Sequence, residues 1–299
     1  MMIVAVIVTF HPDLEKLGEL LAALAPQVNV SVVVDNGSSP DVCRRLRSLC
    51  SAAVELIALE DNLGIAAAQN IGISRAKKLG ADYVLLSDQD SVPDGAMAMA
   101  LMAAIEKMRG SGAQVACAGP RYLDVRQQNP PPFIRVRGLR LERCRCDTPD
   151  AVVPVDYLIA SGCLIPMAVL EQVGGMREDL FIDYVDIEWG LRARRLGYQS
   201  VGVCAAHMVH SLGDHPIHFL GRRLPLHSPL RHYYHFRNAI LLYREAWLPL
   251  NWKLVDGWRL LLKYGFYTLF AKPRLEHLRM MSLGILHGLL GRAGKLEVD

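Results

Sequence analysis

The stretch Tyr83-Val84-Leu85-Leu86-Ser87-Asp88-Gln89-Asp90 decides the fold class of this chain. Its apolar residues have strand character, and two carboxylates follow directly where the strand ends. Ligands of open α/β sheets bind beyond the carboxyl ends of the strands. Magnesium and manganese ions accept a few carboxylate oxygens and keep coordination positions open for phosphate oxygens. Taken alone, the acidic triplet is more often a turn with solvated or capping carboxylates, so its surroundings must decide.

Strand and helix patterns alternate on both sides of this stretch. Strands followed by helices of 10–15 residues predict a mostly parallel sheet with right-handed crossovers, which is typical of a nucleotide-binding α/β domain. The pattern does not choose a chemistry. The predicted strands are 4–10, 28–34, 54–59, 83–87 and 115–119, and the predicted helices are 13–24, 42–50, 64–79 and 94–109.

Length and composition indicate a well-packed protein. The 299 residues, of which 52% are hydrophobic, suffice for one large or two modest domains. The seven cysteines are odd in number and contain no Cys-x-x-Cys pair, which predicts a reducing compartment and no disulfide framework. The apolar N-terminus lacks the features of a signal peptide, and no run of 18 uncharged apolar residues predicts a membrane-spanning helix.

Charge is distributed unevenly along the chain. Residues 222–299 carry 13 Lys and Arg against 5 Asp and Glu, whereas residues 1–221 are net acidic. A basic segment on an acidic body predicts an anionic partner. No nucleic-acid-binding motif is present, so an anionic membrane surface or a diphosphate ligand fits better than nucleic acid.

Two further sites in the first half could contact a nucleotide. Asp35 follows a predicted strand and could accept a hydrogen bond from a base or ribose, although an Asx turn or a helix cap is an equally good explanation. Asn62 and Gly64 begin a helix whose first turns are rich in alanine, so its N-terminus could face a phosphate. Neither a Gly-x-Gly-x-x-Gly loop nor a P-loop lysine is present, which excludes NAD binding and P-loop ATP hydrolysis.

A second group of carboxylates lies near residue 185. Asp183, Asp186 and Glu188 surround a predicted helix start, and aromatic residues flank them. Acidic residues at a helix N-terminus are favoured by the helix dipole alone. Three carboxylates within six residues beside aromatic rings also predict one desolvated carboxylate, which is a candidate general base.

These motifs follow one another in a recognisable order. They are Val4 to Phe10, Val32-Val33-Val34-Asp35-Asn36-Gly37-Ser38, Asn62-Leu63-Gly64, Asn70-Ile71-Gly72, Asp88-Gln89-Asp90, Ser161-Gly162, Asp183-Tyr184-Val185-Asp186-Ile187-Glu188 and His210. Together they resemble the inverting family 2 glycosyltransferases of GT-A fold. With Arg231-His232-Tyr233-Tyr234-His235-Phe236-Arg237-Asn238, they resemble more narrowly the bacterial rhamnosyltransferases, which use dTDP-L-rhamnose.

The resemblance, which covers about residues 3–245, implies a role for each motif. Asp186 is the expected catalytic base, and Glu188 is a rival because many relatives carry Asp at that position and Glu-Asp where this chain has Val185-Asp186. The expected metal ligands for Mg²⁺ or Mn²⁺ are Asp90, Asp88 and His210. The expected donor-binding residues are Thr9, Phe10, His11, Asp35, Asn62, Gly64, Asn70, Asp88, Arg231 and Arg237, and the expected acceptor-side residues are Ser161, Gly162, Tyr184 and Trp189.

The expected reaction needs only one catalytic carboxylate. It takes the proton of the acceptor hydroxyl while the oxygen attacks the anomeric carbon, and a divalent cation with cationic side chains stabilises the leaving diphosphate. The expected partners are dTDP-L-rhamnose and a saccharide or lipid-linked acceptor for lipopolysaccharide or another surface polysaccharide. The alternatives are a family 2 transferase that uses a UDP-sugar, a sugar nucleotidyltransferase, and a non-catalytic membrane-surface binding module.

The C-terminal region differs in character from the rest. We expect a GT-A domain at 1–245, with a nucleotide-binding half at 1–120 and an acceptor half at 121–245, followed by a basic amphipathic helical tail at 246–299. An apolar stripe in that tail predicts a helix lying in the plane of the inner face of the cell membrane, with the enzyme cytoplasmic. The alternative is packing on the catalytic domain or on a second subunit. The stripe comprises Leu254, Trp258, Leu261, Leu262, Phe266 and Leu269.

Overall fold

The structure is a computed structural model that describes residues 1–123, 133–210, 217–219, 222–224 and 226–297. For Leu123, His210 and the short strands at 217–219 and 222–224, it describes the backbone alone. The sequence predicts loops with short strands over residues 120–155, and the part of this range with Pro130-Pro131-Pro132 lies outside the described residues.

Strands and helices alternate through the first 123 residues and then give way to short strands and a helical C-terminus. The strands are β1 Ile3–Thr9, β2 Val30–Asp35, β3 Val54–Ala58, β4 Tyr83–Asp88, β5 Ser91–Pro93, β6 Val115–Leu123, β7 Phe133–Arg137, β8 Arg140–Cys144, β9 Val152–Val155, β10 Leu164–Pro166, β11 Gln199–His210, β12 Ile217–Phe219 and β13 Arg222–Leu224. The helices are α1 Leu14–Leu24, α2 Pro40–Arg47, α3 Ile65–Lys78, α4 Met97–Gly110, α5 Met167–Val173, α6 Val185–Arg195, α7 Pro229–Tyr243, α8 Leu250–Phe270 and α9 Arg274–Leu289, with a 3₁₀ turn at Glu178–Leu180.

Nine of the described strands form one mixed sheet. Its order is β3-β2-β1-β4-β10-β6-β11-β5, and β9 pairs with β11. Strands β3, β2, β1 and β4 are all parallel, and β6 and β11 are also parallel, whereas β10, β5 and β9 join antiparallel. The four parallel strands therefore end at one edge, which is the edge that the acidic triplet of the sequence predicts.

Side chains alternate across β1 and build a core on each face of the sheet. Val4 and Val6 pack on the side of Ala66 and Ala68 in α3. Ile3, Ala5 and Ile7 face the other way and pack in the cluster that contains the leucines of α1. Burial on both faces explains why β1 has a continuous apolar sequence. It confirms that this segment is a buried strand.

The predicted elements of the first half are confirmed with shifts of at most four residues at their ends. The long strand β11 was not predicted, because Gly202, Cys204 and His207 interrupt its apolar residues. The expectation that no cysteine is bridged is wrong for one pair. Cys146 and Cys204 form a disulfide with Cα atoms 5.7 Å apart, and their separation of 58 residues hides the pairing from the sequence.

The helices of the C-terminal region pack on the helix that precedes them. Helix α9 lies along α7, and Trp252, Leu260, His277 and Met281 are buried. Even so, most of the predicted apolar stripe of α8 remains exposed. No helix among the described residues is long and apolar enough to cross a membrane.

Candidate active site

The carboxyl end of β2 holds a buried carboxylate. Asp35 is fully buried, and its Oδ1 accepts hydrogen bonds from Thr9 Oγ1 at 2.9 Å and from Ser38 Oγ at 2.7 Å. Its Oδ2 accepts the backbone N–H of Ser38 at 3.0 Å. These bonds form the Asx-type turn that the sequence allowed, and they join the ends of β1 and β2. Asp35 therefore lies at the expected donor edge with its oxygens already hydrogen-bonded.

Gln89, the middle residue of the acidic triplet, ties that triplet to the turn after β1. The backbone N–H of Phe10 donates to Gln89 Oε1 at 2.8 Å, and the N–H of the next residue, His11, donates to Ser38 Oγ at 2.8 Å. His11 has φ 46° and Phe10 is 44% exposed. The ends of β1, β2 and β4 are thereby held together as one surface.

Asp88 and Asp90 flank this glutamine and are both partly exposed. The backbone N–H of Asp88 donates to Ser161 Oγ at 3.0 Å, and the Ser161 hydroxyl donates to Ser91 Oγ at 3.0 Å. Ser161, which was expected on the acceptor side, thus supports the loop that carries the two carboxylates. Gly162 beside it has φ 74°, and a Cβ there would lie 2.7 Å from Pro120 Cγ, so the bend at this position requires glycine.

The start of α3 contacts the loop that precedes α6. Asn62 accepts a hydrogen bond from Asn36 Nδ2 at 3.1 Å, next to Asp35. Gly64 has φ 89°, and a Cβ there would lie 2.6 Å from Phe181 Cδ2 and from the Phe181 carbonyl oxygen. That carbonyl accepts the N–H of Ile65 at 2.7 Å. At the N-terminus of α3, this N–H group therefore already donates to a carbonyl group of the protein.

Asn70 was expected to bind the donor, but the structure gives it a contact farther along α3. Its Nδ2 donates to the Met176 carbonyl at 2.9 Å and to Glu178 at 2.8 Å, and its Oδ1 accepts the Met176 N–H at 2.7 Å. The side chain therefore anchors the segment before the 3₁₀ turn.

Asp186 has the electrostatics of a general base. Burial raises its pKa to about 6, with smaller contributions from the negative charges of Asp183 and Asp88, in spite of the Ile187 N–H that donates to it at 2.9 Å. Apolar residues line the pocket beside it, among them Leu86, Cys163 and Trp189. A carboxylate with this pKa is ionised at neutral pH and still basic enough to accept a proton. The charge of Asp88 contributes to this shift, so the two acidic groups of the sequence lie near each other.

Asp183 is paired with a cation of α7. Arg231 Nη2 lies 3.2 Å from Asp183 Oδ1. Burial acts to raise the pKa of Asp183, but the charges of Arg231 and His235 outweigh it and hold the pKa below its ordinary value. Arg231, expected at the donor, is thus placed beside the α6 carboxylates by a salt bridge.

Glu188 is less suited to act as a base. It is 3% exposed and forms a two-bond ion pair with Arg192, at 2.8 Å to Oε1 and 2.9 Å to Oε2. Arg192 also donates to the Gly175 carbonyl at 2.8 Å. The pair joins α6 to the end of α5, so the geometry favours Asp186.

Two aromatic residues expected at the acceptor are buried instead. The Trp189 indole N–H donates to the Gly174 carbonyl at 2.9 Å, and Tyr184 donates its hydroxyl proton to Asp256 Oδ2 at 2.8 Å. Both rings are less than 5% exposed. A stacking platform for a sugar needs an open ring face, which neither side chain offers, although Trp189 lines the pocket beside Asp186.

The segment that introduces Asp186 has an unusual backbone, and we call residues 179–184 the base loop. Phe181, Asp183 and Tyr184 have φ of 65°, 65° and 63°, a region that residues other than glycine seldom adopt. Asn238 Nδ2 donates to the carbonyls of residues 180, 182 and 183 at 2.7–2.9 Å. Arg237, expected at the donor, is 1% exposed and donates to the carbonyl of Leu180 at 2.9 Å. Both side chains hold the loop.

The carboxylates that could bind a metal are Asp88 and Asp90. Among the described side chains, no group of three His, Cys, Asp or Glu residues forms a metal site. Two carboxylates beside an open edge are nevertheless the donor set that Mg²⁺ or Mn²⁺ uses when phosphate oxygens complete its coordination. The backbone of His210 pairs with Ser91, next to Asp90, but its side chain lies outside the described residues.

Comparison with known proteins identifies the fold and the family. Residues 5–162 match the sequence profile of glycosyl transferase family 2. The chain is also 34% identical, over 98% of its own length and 97% of the relative's, to "dTDP-rhamnosyl transferase RfbF" of Shigella flexneri. The chain belongs to glycosyl transferase family 2. The family 2 region defined by the profile includes β1 to β4 and the acidic triplet, and it ends at Gly162.

Other relatives of this family 2 glycosyltransferase agree on the architecture. The chain is 28% identical over 153 residues to the "Low-salt glycan biosynthesis hexosyltransferase Agl10" of Haloferax volcanii, which is 48% of this chain and 45% of that protein. Solved structures with the same fold include S. aureus TarS with UDP-GlcNAc, at TM-score 0.62 and 15% identity, covering 98% of this chain and 82% of that one. GalNAc-T7 aligns at TM-score 0.60 and 12% identity, over 97% of this chain and 56% of that one. The predicted GT-A fold is confirmed.

Sequence reasoning missed three residues of this site. Gln89 was read only as a spacer between two aspartates, and Asp183 only as one acid of a cluster. Tyr122 was not considered; its hydroxyl donates to the Ser161 carbonyl at 3.1 Å. Burial, together with the charges of neighbouring groups that include Asp88 and Asp186, raises its pKa well above the ordinary value. No local pattern marks Tyr122, because it lies near the end of β6, whose neighbouring strands are distant in sequence.

Proposed function

We propose that this glycosyltransferase transfers L-rhamnose from dTDP-L-rhamnose to a hydroxyl group of a saccharide or glycolipid acceptor, with inversion at the anomeric carbon. The observation that carries the proposal is the presence of one carboxylate of raised pKa, Asp186, near two further partly exposed carboxylates, Asp88 and Asp90. The first is suited to proton transfer and the others to a diphosphate with its cation. Inversion requires a single base of this kind.

Asp186 takes the proton of the acceptor hydroxyl as the acceptor oxygen attacks the anomeric carbon. Its apolar surroundings raise its pKa, which makes it a better proton acceptor. The bond from the sugar to the diphosphate breaks on the opposite face, and the diphosphate leaves as an anion that needs no proton donor. This accounts for a site with one base rather than the paired acid and base of glycoside hydrolases.

Asp88 and Asp90 would hold Mg²⁺ or Mn²⁺, with His210 as a further ligand, and the bound cation would neutralise the negative charge that develops on the leaving diphosphate. Arg231 lies beside the α6 carboxylates and adds a positive charge on the acceptor half of the site. Asp35 and the turn at Thr9, with the backbone of the next two residues, form the nucleoside side. Their hydrogen bonds hold that pocket in shape before the ligand arrives.

The dTDP-rhamnose donor is supported by the full-length similarity to the Shigella flexneri protein. A panel of nucleotide sugars distinguishes this donor from the alternative, a UDP-sugar. Released dTDP or UDP is measured in the presence of Mg²⁺, of Mn²⁺ and of EDTA. We expect release of dTDP from dTDP-L-rhamnose, dependent on metal and on acceptor. Transfer from a UDP-sugar alone would overturn the donor assignment, and activity unchanged in EDTA would overturn the metal.

A matched pair of variants tests the metal site. Asp90→Asn should remove the metal dependence of dTDP binding measured by calorimetry, because a neutral amide is a poor ligand for these cations. Asp147→Asn changes an exposed aspartate in the loop before β9 and should bind as wild type. Metal-dependent binding preserved in Asp90→Asn would exclude Asp90 as a ligand.

We further propose that the enzyme works at the cytoplasmic face of the membrane on a lipid-linked acceptor for a surface polysaccharide such as lipopolysaccharide. Helix α8 exposes large apolar side chains with helical spacing, namely Leu250, Leu254, Trp258, Leu261, Leu262 and Leu269, each at least 53% exposed. Lys272, Arg274 and Arg279 are exposed beside them at the turn into α9 and along that helix. Apolar area next to cations suits an anionic membrane surface.

Vesicle flotation tests this attachment. The chain should bind anionic vesicles, with binding that weakens as salt rises. Replacing Trp258 and Leu262 by Glu should abolish binding, whereas Leu139→Glu, a control at an equally exposed leucine in the β7–β8 turn, should not. If the wild-type chain does not bind vesicles and the Glu variant loses a dimer that light scattering detects in the wild type, the face belongs to a second copy.

A thiol titration tests the predicted reducing compartment. A chain from a reducing compartment has seven free thiols, whereas a chain with the Cys146–Cys204 disulfide has five.

A further inference from the structure

The segment that follows α9 makes one hydrogen bond to the base loop and two to side chains of α7. The N–H of Gly294 donates to the Asp179 carbonyl at 2.6 Å, and the Gly294 carbonyl accepts a hydrogen bond from Arg237 Nη1. The N–H of Leu296 donates to the Tyr234 hydroxyl at 2.8 Å. Residues separated from the loop by more than 100 positions in sequence therefore close its outer side.

Two of these contacts reach the loop through side chains of α7. Tyr234 stacks on Phe181 with ring centroids 4.9 Å apart and an angle of 21° between the planes. The Arg237 guanidinium lies over the Tyr234 ring at 4.8 Å and donates to the Leu180 carbonyl at 2.9 Å. Residues 294–296 thus fix Tyr234 and Arg237, which in turn fix Phe181 and Leu180.

The base loop needs such support because its backbone is strained. Residues 181, 183 and 184 have positive φ, a conformation that is unfavourable for residues other than glycine and persists only where surrounding contacts determine it. Helix α6 begins at Val185, so the position of Asp186 follows from the conformation of this loop. A carboxylate that must meet a hydroxyl in line with the anomeric carbon tolerates little displacement.

We propose that residues 294–296 form a positioning segment for the transfer reaction, acting through Tyr234 and Arg237 to hold the base loop so that Asp186 meets the acceptor hydroxyl. This inference rests on the proposed function, in which Asp186 is the base. The segment touches neither donor nor acceptor in this role. Its removal should therefore change turnover and leave nucleotide affinity intact.

Two truncations test the proposal. A chain ending at Ala293 lacks all three contacts, and a chain ending at Glu297 keeps them and serves as the matched control. We expect kcat of the shorter chain to fall by about 10- to 100-fold, the loss typical of a small misplacement of a catalytic group. KM for the donor and the dTDP affinity should equal those of the control. A kcat equal to that of the control would overturn the proposal.

Tyr234→Phe tests the same connection without shortening the chain. It removes the hydroxyl that accepts the Leu296 N–H and keeps the ring that stacks on Phe181, so folding should be preserved. We expect a smaller fall in kcat in the same direction, again at constant donor affinity. If the shorter chain fails to fold, this variant decides: unchanged kcat in Tyr234→Phe overturns the proposal.

Amide hydrogen exchange separates the inference from the proposed function, because it needs no substrate. Amides of residues 179–184 should exchange faster in the chain ending at Ala293 than in the chain ending at Glu297, with β1 and β4 unchanged. Equal protection of the loop in both chains would overturn the inference whether or not the enzyme transfers rhamnose. Absence of transfer by the full chain, with the exchange difference present, would overturn the proposed function alone.

Discussion

The carboxylates of this site are held in two different ways. Asp35 and Asp88 lie at the ends of parallel strands, and hydrogen bonds from neighbouring strand ends orient Asp35 and the backbone of Asp88. Asp183 and Asp186 lie in and after a loop of positive φ, which side chains of α7 and the segment after α9 hold in place. The sheet holds the proposed nucleotide-binding residues through local geometry, whereas the proposed catalytic base depends on contacts between distant parts of the chain.

This difference predicts which substitutions should affect turnover and which should affect affinity. A residue at a strand end has redundant support, because the hydrogen bonds between neighbouring strands still position its backbone when one side-chain hydrogen bond is lost. A residue of the base loop has no ladder, so each contact that holds it is needed. We therefore expect changes around the base loop to affect turnover strongly, and changes at the nucleoside edge to affect affinity mildly.

The largest effect should come from Asp186→Asn. Because the amide cannot accept the acceptor proton, kcat should fall by about 10²–10⁴-fold while dTDP affinity is retained. Steady-state kinetics and calorimetry measure the two quantities. The control is Glu188→Gln, which breaks the buried pair with Arg192 and should lower the unfolding midpoint with kcat near that of wild type. The reverse ranking of the two kcat values would make Glu188 the base.

A strong effect on stability is expected where the two regions meet. Gly64→Ala places a Cβ 2.6 Å from Phe181 at a φ of 89°, and should cost about 2–4 kcal/mol in urea unfolding through strain and overpacking. Gly80→Ala is the matched control, since its φ is 80° but no atom lies within 4 Å of the new Cβ. Equal losses in the two variants would show that the contact with Phe181 carries no energy.

An intermediate effect concerns pH. A base must be deprotonated to act, so kcat/KM should fall as pH drops through about 6, the raised pKa of Asp186. Asp183→Asn removes a negative neighbour that helps to raise that pKa, and should shift the acid limb of the profile to lower pH. Asparagine tolerates the positive φ at this position. An acid limb that stays in place would remove Asp183 from the electrostatics of the base.

The smallest effect should come from Thr9→Val at the nucleoside edge. It deletes one hydrogen bond to Asp35, but the N–H and the hydroxyl of Ser38 still hold that carboxylate. We expect dTDP affinity to weaken by about fivefold or less, which corresponds to a net hydrogen bond of roughly 1 kcal/mol. Calorimetry with Asp35→Asn as a stronger comparison measures the difference. A loss in Thr9→Val as large as in Asp35→Asn would show that the edge has no redundancy.

The strand-end carboxylates could be predicted from the sequence because their signals are local. An apolar strand followed by Asp88-Gln89-Asp90 places its carboxylates at the sheet edge through the geometry of parallel strands, and Asp35 follows the same rule. Asp186 could be predicted as a candidate base from the acidic cluster and the family resemblance. The boundaries of the strands and helices in the first half were also predictable, because apolar residues repeat there with periods of 2 and 3.6 residues that are visible over a short stretch of sequence.

The contacts of the base loop could not be predicted. Arg237 was expected to bind the donor because a cation in an aromatic-rich helix suits a diphosphate, yet it donates to carbonyl groups of the base loop and of Gly294. Its partners are 57 residues away in both directions along the chain, and their carbonyl groups carry no side-chain signal. The same holds for Cys146 and Cys204 and for the burial of Trp189, which depend on how β9, β11 and α5 meet.

Helix α9 meets α7 almost backbone to backbone. A Cβ at Gly284 would lie 2.4 Å from the Tyr233 carbonyl oxygen, and one at Gly288 would lie 2.8 Å from the Arg237 carbonyl oxygen. With no side chains between them, the two helices have little room to slide or tilt. They form a rigid connection between α8, which carries the exposed leucines of the proposed membrane-facing stripe, and the base loop. A surface that binds those leucines therefore also fixes the distance and orientation of Asp186 relative to that surface.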